Sequence, residues 1–276
     1  MRRLGTAVLT ILGATLLAST AAFATPVTVV GGVTVPVGNT EITENDYETL
    51  ITGPTSVFQG VGVVQSISDG ATTFTYGLGG TNPPPFLYDE FSNFTFDTIV
   101  HNADGSLDIL LKGGQLNYYS FGSNQQSTIL GATTAAAAVA DVMAGSLWLS
   151  LTPQAINGSG DTVDIHLPSG SLSNVTDSSA YADLVTTMGL GAGPANAFFS
   201  TCNVPDPSAS GGGCPAGTVD FDFVGGANGS PSTVFPVSGT GSLKNFAEVP
   251  EPWTLALFGA GLIGVAGLRR RKAKIA

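Results

Sequence analysis

The sequence predicts a mostly β chain, arranged as an antiparallel β-sandwich or a barrel-like domain with one or two short helices. Short β-rich segments alternate with turns along the chain, and 37 of its 276 residues are glycine. Only 11% of the residues are charged, which excludes a highly charged disordered chain and a long coiled coil. Apolar segments near the two ends add a predicted N-terminal signal helix and a C-terminal transmembrane helix.

Two Asp-Gly pairs predict β-hairpins, because the tight type I′ turn requires positive φ angles that this pair accepts. Asp69-Gly70 separates the β-rich segments 57–68 and 71–76, and Asp104-Gly105 separates 91–101 from 107–111. Further strands are predicted at residues 25–40, 115–121, 146–152, 162–167, 219–224 and 242–246, with a loop at 225–236.

Two segments have helical patterns. Residues 133–144 are short and alanine-rich. Residues 179–188 place apolar side chains on one helical face, and Gly189 follows as a stop signal. The side chains of that face are Tyr181, Leu184, Val185 and Met188.

The charge is distributed unevenly. Between residues 25 and 248 only Lys112 and Lys244 balance 19 acidic residues, which gives this body a formal charge of −17. A surface this acidic repels phosphate backbones, so nucleic acid is excluded as a partner.

Residues 1–24 are predicted to be a secretory signal peptide. Arg2 and Arg3 precede the apolar run 4–17, and Ala22 and Ala24 supply the small residues that signal peptidase requires. Cleavage after Ala24 would make Thr25 the first residue of the mature chain. The alternative is a short membrane anchor, but the apolar run is brief.

Residues 249–276 combine three elements in a fixed order. Pro250-Glu251-Pro252 precedes a 16-residue apolar stretch at 253–268, which as a helix spans roughly 24 Å. The basic tail 269–274 follows, and we expect its charges to hold it in the cytoplasm, with residues 25–248 outside the inner membrane. The cluster at the start of that tail is Arg269, Arg270, Arg271 and Lys272.

This three-part tail resembles the PEP-CTERM sorting signal of Gram-negative bacteria. The resemblance implies that an exosortase recognises the tail and processes the chain near Pro250-Glu251-Pro252. It further implies a transient inner-membrane anchor, followed by release to the cell surface or the extracellular matrix. A generic tail anchor is the alternative, but the two prolines favour an extended segment that a protease can reach.

Cys202 and Cys214 enclose a loop rich in Pro, Ser and Gly, and an oxidising compartment favours a disulfide between them. The alternatives are free thiols or a metal pair, which would need carboxylates because the chain has only two histidines, His101 and His166.

The sequence predicts no enzyme, no cofactor and no metal site, because it lacks a nucleophile elbow, a dinucleotide fingerprint and a zinc-protease motif. A glycosidase would need only two carboxylates, and Asp104 with Asp108 or Asp161 with Asp164 could contribute to calcium binding. Solvated turn acids explain these residues equally well. The glycosidase candidates are Asp89, Glu90, Asp97, Asp108, Asp161 and Asp164.

Trp148 is the candidate for contact with a glycan. It alternates with Leu147 and Leu149, so it is exposed if the leucines form the core, unless another layer covers it.

Parts of the body also resemble ectodomains of flocculation-associated PEP-CTERM proteins, at residues 114–119, 145–149, 189–202 and 239–243. We therefore expect an exported structural or adhesive protein of biofilm or floc, associated with exopolysaccharide and with divalent cations. The alternatives are a carbohydrate-binding surface module and a hydrolase of matrix sugars.

Overall fold

Valine-rich segments and Asp-Gly turns produce a sheet of long antiparallel strands in the computed structural model. The structure describes residues 27–28, 32–36, 38–49, 55–70, 72–76, 85–168, 182–191, 193–199, 202, 204–205 and 214–247. The predicted signal peptide and sorting tail lie outside these residues. Within them, no helix has the length and apolar character needed to cross a membrane.

Ten strands form the main sheet. They are β3 (Gly38–Glu48), β4 (Val57–Ser68), β5 (Thr73–Thr75), β6 (Phe86–His101), β7 (Leu107–Phe121), β8 (Ser146–Pro153), β9 (Val163–Leu167), β10 (Ala182–Leu190), β13 (Phe221–Gly229) and β14 (Val237–Ala247). Two short pairs stand apart from it, β1 (Val27–Thr28) with β2 (Thr34–Val35) and β11 (Val204–Pro205) with β12 (Thr218–Val219).

The sheet curls back toward itself. Its path runs β13-β14-β3-β4-β6-β7-β8-β10-β9, and β10 also pairs antiparallel with β13. The predicted mostly β, antiparallel class is therefore confirmed, and the arrangement is a curled, half-barrel sheet rather than two flat sheets packed face to face.

Both predicted hairpins are present. Gly70 and Gly105 have φ angles of 84° and 90°, which glycine adopts without strain. The turn at Asp69 joins β4 to β5, and the turn at Asn102 joins β6 to β7. The strand β7 runs unbroken through Gly113 and Gly114, where two separate strands were predicted.

The helices α1 (Gln126–Leu130) and α2 (Ala135–Met143) pack on the outer face of the sheet. Thr134 begins α2 by accepting a hydrogen bond from the backbone N–H of Ala137 at 3.1 Å, as a helix N-cap does. The predicted helix at 133–144 is thus confirmed. Beneath the two helices lie Val61, Val63, Tyr88 and Tyr119.

The predicted helix at 179–188 is wrong over residues 182–188, and its first three residues lie outside the described part of the chain. Residues Ala182–Leu190 form β10, whose backbone pairs with seven consecutive residues of β13. Val185, Thr186 and Thr187 are β-branched, and such residues favour an extended backbone. Pairing with strands on both sides therefore keeps this segment extended, although its four apolar residues fit a helical pattern.

The inner face of the curled sheet holds the larger apolar core, which includes Ile42, Leu87, Tyr118, Leu151 and Phe221. The short 3₁₀ helix Pro194–Phe198 and the following Phe199 pack against β8 and extend this core. The core matters for function because it surrounds a group of acidic side chains on the same face.

Candidate functional site

An acidic group occupies the inner face of the sheet. Along β3, alternate side chains point inward, and Glu44, Asp46 and Glu48 are 1%, 4% and 8% exposed. Asp89 on β6 is fully buried beside them. We call Glu44, Asp46 and Asp89 the acidic cluster, with Glu48 at its margin.

Strand register explains why acids from different strands meet. Asp46 lies opposite Gly62 of β4, Gly62 lies opposite Asp89, and Asp89 lies opposite Tyr118 of β7. These four residues form one row across four adjacent strands. Because Gly62 has no side chain, the Asp89 carboxylate can lie over it, in the row that contains Asp46.

Glycines make the space for the carboxylates. A Cβ atom at Gly62 would overlap the Asp89 carboxylate, and one at Gly241 of β14 would lie 2.7 Å from Oδ2 of Asp46. Gly241 lies opposite Glu44 in the pairing of β14 with β3. The acidic cluster therefore occupies a pocket in the core that two glycines keep open.

The acidic cluster has too few hydrogen-bond donors. Tyr118 Oη donates to Glu44 Oε2 at 2.9 Å. Among the described residues, both carboxylate oxygens of Asp89, Oδ1 of Asp46 and Oε1 of Glu44 have no hydrogen-bond partner. A buried polar atom without a partner costs about 1–3 kcal/mol, and more when it is charged, so the arrangement requires protons or a bound ion.

Burial dominates the electrostatics. It raises the pKa of Asp46 to about 7, and burial together with the charge of Asp46 raises the pKa of Glu48 to about 8. Burial, followed by the charges of Asp89 and Asp46, holds the pKa of Glu44 well above its usual range. Burial, followed by the charges of Asp46 and Glu90, does the same to the pKa of Asp89.

The chemistry open to this cluster is proton sharing or cation binding. The carboxyl groups of Glu44 and Asp89 lie within reach of a shared proton. One oxygen from each of the three carboxylates also lies within 4.8 Å of the others, as metal ligands do. A sugar cannot reach carboxylates that are at most 4% exposed, so the cluster is not the acid pair of a glycosidase.

Sequence reasoning missed Glu44, Asp46 and Glu48, although it included Asp89 among the candidate carboxylates. The available signal was their spacing of two residues, which places all three on one face of a strand. Glu90, a second candidate on β6, follows Asp89 and so points to the opposite face, where Asn117 Nδ2 donates to its Oε1.

The remaining predicted acids form local contacts. Asp97 pairs with Lys112 at 2.8 Å, and Asp104 accepts from the hydroxyl of Ser106 at 2.7 Å. Asp161 accepts from Asn157 Nδ2 at 2.9 Å. Neither the pair Asp104 and Asp108 nor the pair Asp161 and Asp164 belongs to a group of three metal-ligating side chains in the described part of the chain.

His166 pairs with Asp108 across β9 and β7, with 2.6 Å between Nδ1 and Oδ1. This hydrogen bond raises the pKa of His166. Burial raises the pKa of the neighbouring Asp164 to about 6. Asn102 donates to the second oxygen of Asp108 at 2.9 Å, so the pair is held at the end of the β6–β7 hairpin.

Trp148 is fully buried, so the prediction that it contacts a glycan is wrong. Its ring packs edge-on against Tyr118 and Phe199, at centroid distances of 6.3 and 6.1 Å. The segment that ends at Phe199 covers Trp148. The alternation of Leu147, Trp148 and Leu149 along their strand gives no information about such a covering segment. The exposed large hydrophobic side chains of the described residues include no aromatic one.

The predicted disulfide is confirmed, with the Cα atoms of Cys202 and Cys214 5.2 Å apart. Asp220 lies beside it and accepts a hydrogen bond from the backbone N–H of Cys202 at 2.7 Å. Because both sulfurs are in the disulfide, this group does not offer thiolates to a metal.

Replacing Gly62 with alanine tests the role of this glycine in the acidic cluster. We expect Gly62→Ala to lower the free energy of unfolding by about 1–3 kcal/mol, because the added methyl group displaces the Asp89 carboxylate. Gly122→Ala is the matched control, since a Cβ atom there meets nothing within 4 Å. If chemical denaturation showed the same loss of unfolding free energy in both variants, the methyl group at residue 62 would not be displacing the Asp89 carboxylate.

The pH dependence of stability tests the electrostatics. An acid whose pKa is raised by folding binds its proton more tightly in the folded chain, so the stability it contributes is present near pH 4.5 and declines as the pH rises through its folded pKa. In the presence of a chelator, we expect the unfolding free energy to fall as the pH rises from about 5 through 7 and 8, the values for Asp46 and Glu48.

His166 changes stability in the same direction, because its raised pKa also favours the protonated folded state. Asp46→Asn separates the two contributions, since it removes only the buried acid. We expect this variant to lose less stability than the wild-type chain between pH 5 and 8 in urea titrations. If the unfolding free energy of the wild-type chain rose between pH 5 and 8, the raised pKa values of Asp46 and Glu48 would be refuted.

Comparison with known proteins identifies the tail of the chain. Residues 248–272 match the family model of the PEP-CTERM protein-sorting motif. No curated protein and no solved structure matches the chain, so the resemblance of the body to flocculation-associated proteins stays a prediction. The motif implies export, sorting to the surface and processing by an exosortase. The chain is a PEP-CTERM domain-containing protein.

Proposed function

We propose that this chain is a non-catalytic structural or adhesive protein of a Gram-negative cell surface or extracellular matrix, associated there with exopolysaccharide. The observation that carries the proposal is the sorting motif at residues 248–272, which targets the chain to an exosortase. In this proposal, the signal peptide exports residues 25–248 and the apolar stretch 253–268 holds them at the inner membrane until processing.

The composition of the body supports this role. Its formal charge of −17 keeps copies of the chain apart and attracts divalent cations, which can bridge acidic groups on the protein to those of an exopolysaccharide. The disulfide between Cys202 and Cys214 suits an oxidising compartment outside the cytoplasm. The buried position of the acidic cluster and of Trp148 favours a structural function over a catalytic or sugar-stacking one.

Replacement of Pro250-Glu251-Pro252 by three alanines tests the proposal in the native host. We expect the variant to remain in the inner-membrane fraction with its tail intact to Ala276, and the wild-type chain to end near residues 249–251 in the surface fraction. The measurement is the mass of the C-terminal peptide from each fraction. Pro231→Ala, in an exposed turn, is the matched control and should be processed normally.

The same strains test the role in the matrix. We expect both deletion of the coding region and the triple-alanine variant to reduce cell aggregation and retention of exopolysaccharide, and the wild-type gene to restore them. Normal processing with unchanged aggregation and matrix retention in the deletion strain would confirm the sorting and reject the matrix function.

A further inference from the structure

The negative charge of the acidic cluster has no basic side chain to neutralise it. Between residues 25 and 248 the sequence contains four basic side chains, which are Lys112, Lys244, His101 and His166. Lys112 pairs with Asp97 and His166 with Asp108, and the other two side chains are exposed. Neutralisation must therefore come from protons or from a cation that the chain binds.

All three residues of the acidic cluster carry unpartnered carboxylate oxygens, and one oxygen of each carboxylate lies within 4.8 Å of the other two. Asp89 is fully buried and both of its carboxylate oxygens lack a hydrogen-bond partner among the described residues. Asp46 and Glu44 each contribute one more such oxygen. The second oxygen of Glu44 accepts from Tyr118 Oη at 2.9 Å, which fixes the orientation of that carboxylate. This arrangement of oriented acceptors without donors is what a bound cation requires.

We propose that Glu44, Asp46 and Asp89 form a buried binding site for a divalent cation, and that the cation is calcium. The site is assembled by the folded sheet, since its ligands come from β3 and β6, with the Asp89 carboxylate over Gly62 and Oδ2 of Asp46 beside Gly241.

The chemistry of the three ligands favours calcium over other metal ions. All three ligands are carboxylates, which hard cations prefer, whereas zinc and copper favour nitrogen and sulfur. Calcium binds oxygens at about 2.3–2.6 Å, so oxygens on opposite sides of it lie roughly 4.6–5.2 Å apart. One oxygen of each carboxylate lies within 4.8 Å of the other two, which is close enough for a single ion to contact all three. Magnesium is smaller and retains several waters, for which a buried apolar surround is a poor setting.

Calcium-dependent thermal stability tests the proposal on the mature protein recovered from the host surface. Bound metal is first released by dialysis at about pH 5, where protons compete for the carboxylates, and the remaining free calcium is removed with EGTA at about pH 8. At about pH 8, we expect roughly 2 mM calcium chloride to raise the Tm of the wild-type protein by about 5 °C or more. Magnesium chloride at the same concentration should have a much smaller effect.

Two variants locate the ion. Asp89→Asn should lose the calcium response, and should be more stable than the metal-free wild-type protein at about pH 8 because one buried charge is gone. Asp97→Asn, on an exposed acid of the same strand, is the matched control and should keep the full response. If Asp89→Asn does not fold, Asp46→Asn replaces it.

The metal content of the wild-type protein decides the question without any variant. After equilibrium dialysis against roughly 2 mM calcium chloride at about pH 8, we expect atomic emission to find an excess of about one calcium per chain over the outer solution. No bound calcium together with an unchanged Tm would overturn the proposal and leave a proton shared between Glu44 and Asp89. An equal response of Asp89→Asn and Asp97→Asn would also overturn it, because the ion would then bind elsewhere.

Discussion

Burial of carboxylates on the inner face of the sheet, with no basic side chain to balance them, is the constraint on which the rest of the structure depends. Asp46 and Asp89 lie in one row across the sheet with Gly62 between them. A glycine is needed at that position because any side chain would occupy the space of the Asp89 carboxylate. Tyr118, at the end of the row, supplies the hydrogen bond that orients Glu44.

Burial of these carboxylates destabilises the folded chain unless their negative charge is neutralised. Apolar surroundings raise the pKa of each carboxyl group, so protons can neutralise the group at low pH, but less fully as the pH approaches 8. A cation does the same at neutral pH and binds only the folded chain, which makes it a source of stability. The environment outside the inner membrane, to which the sorting motif directs the chain, suits a site of this kind because extracellular modules bind calcium in the range of about 10⁻⁴–10⁻³ M.

Much of the fold could be predicted from local signals. The Asp-Gly turns at Gly70 and Gly105 specify two hairpins, and the alanine-rich run specifies the helix Ala135–Met143. The strand Gly38–Glu48 was not predicted beyond residue 40, because its acids and Asn45 are uncommon in strands and its inward face is partly acidic. Local sequence does not reveal that Gly62 and Asp89 would lie beside Asp46, since that proximity depends on pairing between distant strands.

The predictions that were wrong concern segments whose structure depends on packing against residues distant in the sequence. The apolar pattern around Val185 fits a helix, yet pairing with β13 on one side and with β8 and β9 on the other holds that segment extended. Alternation around Trp148 left open whether a further layer covers it, and Phe199 supplies that layer. The disulfide and the sorting tail were predictable because each depends on a few residues close together in sequence.

The most direct test of the cation account is X-ray diffraction from crystals of the mature protein grown with calcium, using the anomalous signal of that element. The account predicts one anomalous peak enclosed by Glu44, Asp46 and Asp89, at about 2.3–2.6 Å from an oxygen of each. Carboxyl oxygens of Glu44 and Asp89 about 2.5–2.7 Å apart, with no peak near them, would contradict it and identify a shared proton instead.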